Sequence, residues 1–163
     1  MKVTLTGFMG SGKSCVGELL AFGLGLPFKD LDRSICSERG CSIPEIFAEG
    51  GEELFRRLEL ERLRALLDEG DAVIALGGGT LTIPEAGPLV DGTTCIFLDT
   101  GLDTITDRLG LSDPDRPLFR PEDPLFRDMF EERRRLYAAA AHITVTTDGR
   151  TPDEIVEEIL QVL

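Results

Sequence analysis

Five short apolar runs punctuate the chain, and between them apolar residues recur at helical rather than alternating spacing. The runs are Lys2–Thr6, Pro27–Lys29, Ala72–Leu76, Thr94–Leu98 and Ile143–Thr146. "AVIAL" and "CIFLD" have no polar face, which is the pattern of strands covered on both sides in a parallel sheet. Val16, Leu19, Leu20 and Leu24 predict a first helix running to about Gly23. Leu54, Phe55, Leu58, Leu63, Leu66 and Leu67 form one stripe and predict a long helix from about Gly51 to Asp68. Gly40 and Pro44 break the pattern between Asp32 and Gly50, so short helices are expected there. Other helices are expected near Pro84, from Thr100 or Gly101, and from Leu125 to about Ala140. A final helix, after the fifth run, has explicit start signals: Thr151 as N-cap, Pro152 in the first position and Glu154 as the capping-box acid.

Strands alternating with helices predict a three-layer α/β/α domain built on a parallel sheet. At 163 residues, one domain spanning 1–163 is expected. The exception to the pattern is "GLSDPDRPLFRPEDP", Gly110 to Pro124, whose four prolines and mixed charge predict an exposed, mobile loop.

Composition narrows the partners. The formal net charge of −13 disfavours nucleic acid and anionic membrane. No apolar run approaches the roughly 20 residues of a membrane span, and "MKVTLTGF" has no secretory pattern, so a cytoplasmic setting is expected. An acidic protein with an anionic ligand must focus positive charge locally. Arg56 with Arg57, Arg62 with Arg64, and the run Arg133–Arg135 are the candidates. The four cysteines form no C-x-x-C pair and no zinc spacing. They are expected to be reduced thiols, Cys15 and Cys95 in apolar core settings, with a redox pair at Cys36 and Cys41 as the alternative. His142 opens a strand and is expected to be structural.

Three stretches carry chemistry. "GFMGSGKS", Gly7 to Ser14, fits G-x-x-x-x-G-K-[ST] between a strand and a helix. Its amides can converge on a phosphate with the helix dipole behind them, Lys13 can span β- and γ-phosphates, and Ser14 can ligate Mg²⁺. "DLD" follows the second strand. Strand periodicity would put Asp30 and Asp32 on one side, toward the phosphate loop, although Asp32 can equally cap the next helix. "LGGGT", Leu76 to Thr80, offers three glycines where backbone can approach a ligand closely. Arg56 reads either as a ligand arginine or as a solvated partner of Glu52, Glu53 or Glu59, and position alone does not separate it from Arg57. Arg116 reads as surface or as a finger over the phosphates. A guanine-reading N-K-x-D motif is absent, against a GTPase-like switch.

Taken in order, "GFMGSGKS", "DLD", "FRRLE", "GGG", "DRPLF", "RRRLY" and "GRTP" resemble shikimate kinase over nearly the whole chain. The resemblance implies a five-stranded nucleoside-monophosphate-kinase-like fold, a substrate region near 32–60 and a lid near 110–123. It implies ATP as co-substrate, Mg²⁺, and phosphorylation of the 3-hydroxyl of shikimate on the way to chorismate and the aromatic amino acids. It also implies roles. Gly10, Ser11, Gly12, Lys13, Ser14 and Cys15 match the nucleotide phosphate site, and Asp30 the aspartate near Mg²⁺. Asp32 matches the residue that holds the ring hydroxyls. Arg56 and Arg133 match the two carboxylate arginines, and Gly77, Gly78 and Gly79 the backbone donors. Arg116 matches the lid arginine. Arg108 and Arg150 resemble residues flanking the adenine, though Leu109 replaces a second basic residue and Arg135 a proline. A monomer is expected. Another small-molecule kinase of this fold, of the gluconate type, is the alternative.

Overall fold

The computed structural model describes residues 1–110, 117 and 120–163. Most of the expected lid, and Arg116 within it, lies outside the described residues. Strands β1 (Lys2–Thr6), β2 (Phe28–Asp30), β3 (Ala72–Ala75), β4 (Thr94–Asp99) and β5 (Ile143–Thr146) form one parallel sheet in the order β2-β3-β1-β4-β5. Leu5 lies opposite Ala75 on one side and Ile96 on the other, so β1 is central.

Alternation along the strands sends side chains to two cores. Val3, Leu5, Val73, Ile96, Leu98 and Val145 face α1 (Lys13–Leu24) and α7 (Pro152–Val162), which return Val16, Leu20, Ile155 and Ile159. Ile74, Leu76, Cys95 and Phe97 face the other layer. That layer holds α2 (Leu31–Arg39), α3 (Ile43–Asp68), α4 (Ala86–Asp91), α5 (Leu102–Leu109) and α6 (Phe126–Ala140). Each fully buried Leu, Ile or Phe here contributes roughly 1.5–3 kcal/mol.

Several local expectations are revised. Pro44 does not interrupt a helix. It sits in the first turn of α3, behind a capping box in which Ser42 accepts from Glu45 N and Glu45 accepts from Ser42 N. The long helix expected from Gly51 is joined directly to the preceding short one, and Gly51 (φ 68°, ψ −166°) makes the bend. That backbone conformation is open to glycine and costly for other residues. Cys15 is exposed, not in the core, because it lies on the outward side of α1's first turn; Cys95 is buried as expected. The thiols are free, with no disulfide. His142 has a structural role: its Nδ1 accepts from Cys95 N, 3.1 Å away.

β2 is only three residues long and ends at Asp30, so strand periodicity does not govern the aspartate pair. Asp30 is the N-cap of α2, accepting from Arg33 N, and Asp32 stands in that helix's first turn. The C-terminal ends of β1, β2 and β3 thus deliver the phosphate loop, the two aspartates and the glycine triplet to one sheet edge, where open parallel sheets bind ligands.

Candidate active site

The loop after β1 is shaped by glycine. Gly7, Gly10 and Gly12 have φ of 152°, 77° and 93°, and Gly12 is the N-cap of α1 with no side chain capping it. The first turn of α1 carries no acidic residue. Its amides and dipole therefore present positive potential without an acidic residue in the same turn. Lys13 Nζ donates to Gly7 O (2.8 Å) and Phe8 O (3.0 Å), which holds the ammonium at the loop's mouth. Gly10, Ser11, Gly12, Lys13, Ser14 and Cys15 line one cavity, with Asp30, Asp32, Arg108 and Arg150. Arg108 donates to Gly10 O (3.0 Å). Arg150 donates to Thr146 O and Glu154 O and pairs with Glu158, so its guanidinium is fixed at the cavity wall.

Ser14 Oγ donates to Asp30 Oδ2 at 2.6 Å, and Asp30 Oδ1 accepts from Arg33 N. No cluster of three or more His, Cys, Asp or Glu that could hold a metal is found among the described residues. A hydroxyl beside one carboxylate at a phosphate loop is the donor set for Mg²⁺, which keeps waters and phosphate oxygens as its main ligands. The residues present fit that ion.

A second cavity adjoins the first, and Met9, Asp32 and Gly78 line both. Its walls are Ile43, Phe47 and Phe55, and its polar groups are Asp32, Arg56, Glu59, Arg133 and the Gly78–Gly79 backbone. The structure separates the arginines that spacing left open. Arg56 is largely buried and Arg57 exposed; Arg133 is buried, Arg134 is paired with Asp99 at 2.7 Å, and Arg135 is exposed. Arg133 lies over the Phe8 ring, 5.9 Å from its centroid, and has no ion pair among the described residues. Burial pulls its guanidinium below the ordinary arginine value.

Glu59 is the residue that sequence reasoning missed. It is fully buried, accepts a short bond from Arg56 Nη1, and accepts from Thr80 Oγ1 at 2.8 Å. The signal was there: Phe55, Glu59 and Leu63 follow one another at i, i+4, i+8, which puts a carboxylate in the middle of an apolar stripe. Burial pushes its carboxyl up, while Arg56 pulls it back down. Asp32 is more perturbed. Burial first, then the charges of Glu59 and Asp30, push it up to about 7, against Lys13 and Arg56. Its Oδ1 is closed to solvent and has no hydrogen-bond partner among the described residues.

The glycine triplet clears space chiefly for these side chains. A Cβ on Gly77 would sit 2.3 Å from Glu59 Oε1 and 3.0 Å from Asp32 Oδ1, and one on Gly79 would sit 2.2 Å from Arg56 Nη2. None of the three has positive φ, so the requirement is steric rather than conformational.

Residues 9–163 match the sequence profile of the family described as shikimate kinase. This chain belongs to the shikimate kinase family. A shikimate kinase of Thermus thermophilus is 46% identical over 99% of this chain and 89% of its own. The structure of the Acinetobacter baumannii shikimate kinase in complex with shikimate superposes with a TM-score of 0.93 at 34% identity, covering 99% of this chain and 91% of that one. That of the Aquifex aeolicus shikimate kinase gives 0.88 at 38% identity, covering 99% and 95%. Shikimate kinases are ATP-dependent, so the reaction is phosphorylation of shikimate at the expense of ATP. Among the described residues no helix is long and apolar enough to cross a membrane.

Proposed function

We propose that the two adjoining cavities are the donor and acceptor halves of this reaction, and that the phosphoryl group goes to the 3-hydroxyl of shikimate. The observation that carries the reading is Arg133: a buried guanidinium with no ion pair among the described residues, in the same cavity as Arg56 and as an aspartate shared with the phosphate loop. A planar carboxylate from the ligand completes such a site, since it can take paired N–H groups from two arginines. The apolar walls Ile43, Phe47 and Phe55 suit a carbon ring.

In this reading the ring carboxylate docks on Arg56 and Arg133, and the amides of Gly77–Gly79 face its hydroxyls. Asp32 accepts from the attacking hydroxyl and orients it toward the phosphate loop. The loop amides of residues 10–15 and Lys13 hold the β- and γ-phosphates. Ser14 and Asp30 would hold Mg²⁺, which would supply charge neutralisation there. Arg108 and Arg150 flank the nucleotide base, and Arg116 reaches the phosphates from the 110–123 lid. Phosphoryl transfer requires mostly positioning and charge neutralisation, and this donor set provides both. One chain supplies every group, so a monomer suffices, and a cytoplasmic setting supplies ATP.

Two measurements test it. ADP should appear rapidly only with ATP, Mg²⁺ and shikimate together, and phosphorus–proton coupling in the product should place the phosphate on the 3-oxygen. A panel containing gluconate addresses the alternative: faster turnover of gluconate than of shikimate would reverse the assignment. A narrower prediction concerns the triplet. Gly79→Ala places a methyl on the Arg56 guanidinium, so the shikimate KM should rise by about tenfold or more, as for a lost charged hydrogen bond, with the ATP KM little changed. An unchanged shikimate KM would show that Arg56 is not held where the acceptor needs it.

A further inference from the structure

Tyr137 is the only tyrosine in the chain and one of its most deeply buried side chains, 1% exposed. Its ring packs on Phe97 of β4, with centroids 5.4 Å apart. Its hydroxyl donates a short bond to the carbonyl oxygen of Gly78, across the space between α6 and the glycine triplet. Burial pushes the phenol pKa up, so the group is a permanent donor. On α6 it stands one turn after Arg133, and both side chains are buried on the same face.

The bonded carbonyl belongs to the peptide unit joining Gly78 to Gly79. That unit is planar and trans, so fixing its C=O fixes the N–H of Gly79 in the opposite direction. The backbone amides of Gly78 and Gly79 have no hydrogen-bond partner among the described residues, and both glycines line the acceptor cavity. Gly77 O accepts from Thr80 N (3.2 Å) and Gly79 O from Thr82 N (3.0 Å) and Thr82 Oγ1 (2.6 Å), which hold the peptides on either side; with no Cβ at Gly78 or Gly79, the Tyr137 bond orients the peptide between them. A buried phenol ordinarily seeks some partner; here the partner is a peptide that lines the acceptor cavity.

We propose that Tyr137 is a positioning residue for the acceptor: its hydroxyl locks the Gly78–Gly79 peptide so that the amide edge faces the bound substrate. One helix then sets both the carboxylate-binding guanidinium of Arg133 and the amide donors opposite it. The inference rests on the acceptor assignment made above.

Tyr137→Phe removes the hydroxyl and keeps the ring. The shikimate KM should rise by about five- to twentyfold, the loss of one hydrogen bond's worth of binding, with the ATP KM within about twofold. Phe97→Leu is the control, since it loosens the same ring without touching the hydroxyl. It should lower the unfolding midpoint and leave the shikimate KM unchanged. An unchanged shikimate KM in Tyr137→Phe, equal rises in both KM values, or a matching KM rise in Phe97→Leu would overturn the proposal. A second readout needs no variant. With 3-fluorotyrosine at this single position, the fluorine resonance should shift on adding shikimate and stay in place on adding ADP. A resonance indifferent to shikimate would also overturn it. If the unaltered enzyme fails to phosphorylate shikimate at all, the acceptor assignment fails, which is a separate result from an insensitive Tyr137.

Discussion

Asp32→Asn is expected to lower kcat by about 10²–10⁴-fold, the usual range for losing a group that accepts a proton in the transition state. Asn keeps the shape but cannot take the proton of the attacking hydroxyl. The Oδ1 of Asp32, without a partner among the described residues, and the raised pKa of about 7 make a further effect visible without mutation. With ATP saturating, kcat/KM for shikimate should climb about tenfold per pH unit below about 7 and level off above it, because only the carboxylate accepts. A flat profile between about pH 5.5 and 8.5 would exclude Asp32 as the acceptor of that proton.

The same group affects stability with a definite sign. A carboxyl raised from 3.8 to about 7 binds its proton more tightly in the folded chain than in the unfolded one. Between those pH values the folded state carries the extra proton, so stability falls as pH rises through the window. A tenfold difference in proton affinity between the two states is worth about 1.4 kcal/mol, which makes Asp32 a stability cost at about pH 8. Asp32→Asn should therefore unfold at higher urea than the parent at about pH 8, with the difference shrinking toward about pH 5. A variant that is inactive and less stable at the higher pH would mean that Asp32 acts as a structural anion.

Arg133→Ala and Arg56→Ala should weaken shikimate binding alike and affect the fold differently. Each removes one arm of the carboxylate grip, so each should raise the shikimate KM by about 10²-fold, as for a lost charge-assisted pair, with the ATP KM nearly unchanged. Arg133 has no ion pair among the described residues, although its charge also favours the ionised form of the buried Glu59, so removing it should cost less stability than removing Arg56. Arg56 neutralises the fully buried Glu59, so its removal should cost about 3–5 kcal/mol at neutral pH. Arg133→Lys should recover only part of the binding, because an ammonium lacks the planar fork. Urea unfolding together with separate KM determinations checks all three. Equal loss of nucleotide and shikimate binding in Arg133→Ala would remove it from the acceptor site.

The strand–helix alternation was legible because buried parallel strands and amphipathic helices have distinct periods, and the five strands fall within one residue of their expected ends. The phosphate loop was legible because its glycines answer to local backbone geometry: Gly10 and Gly12 have φ values that other residues rarely adopt. The aspartate pair was found by a mistaken route. Strand periodicity pointed to a shared side, whereas Asp30 caps α2 and Asp32 lies within the first turn of that helix. Both nonetheless reach the nucleotide cavity, because a strand end and a helix start occupy the same sheet edge.

What the sequence by itself determined is whatever depends on neighbours in the chain: the order of strands and helices, the capping box at Thr151, and the phosphate cradle. Resemblance of its ordered motifs extended that to the family. Only the tertiary structure decided that Arg133 of its run is buried and that Arg56 rather than Arg57 turns inward, that Glu59 is a core carboxylate bound to Arg56, and that Gly77 and Gly79 make room for Glu59 and Arg56. It also decided that the hydroxyl of Tyr137 meets a carbonyl 59 residues away. The physical reason is common to all four. Burial, charge pairing and close approach are properties of groups brought together by folding, and a one-dimensional pattern encodes the elements that carry them rather than their meeting.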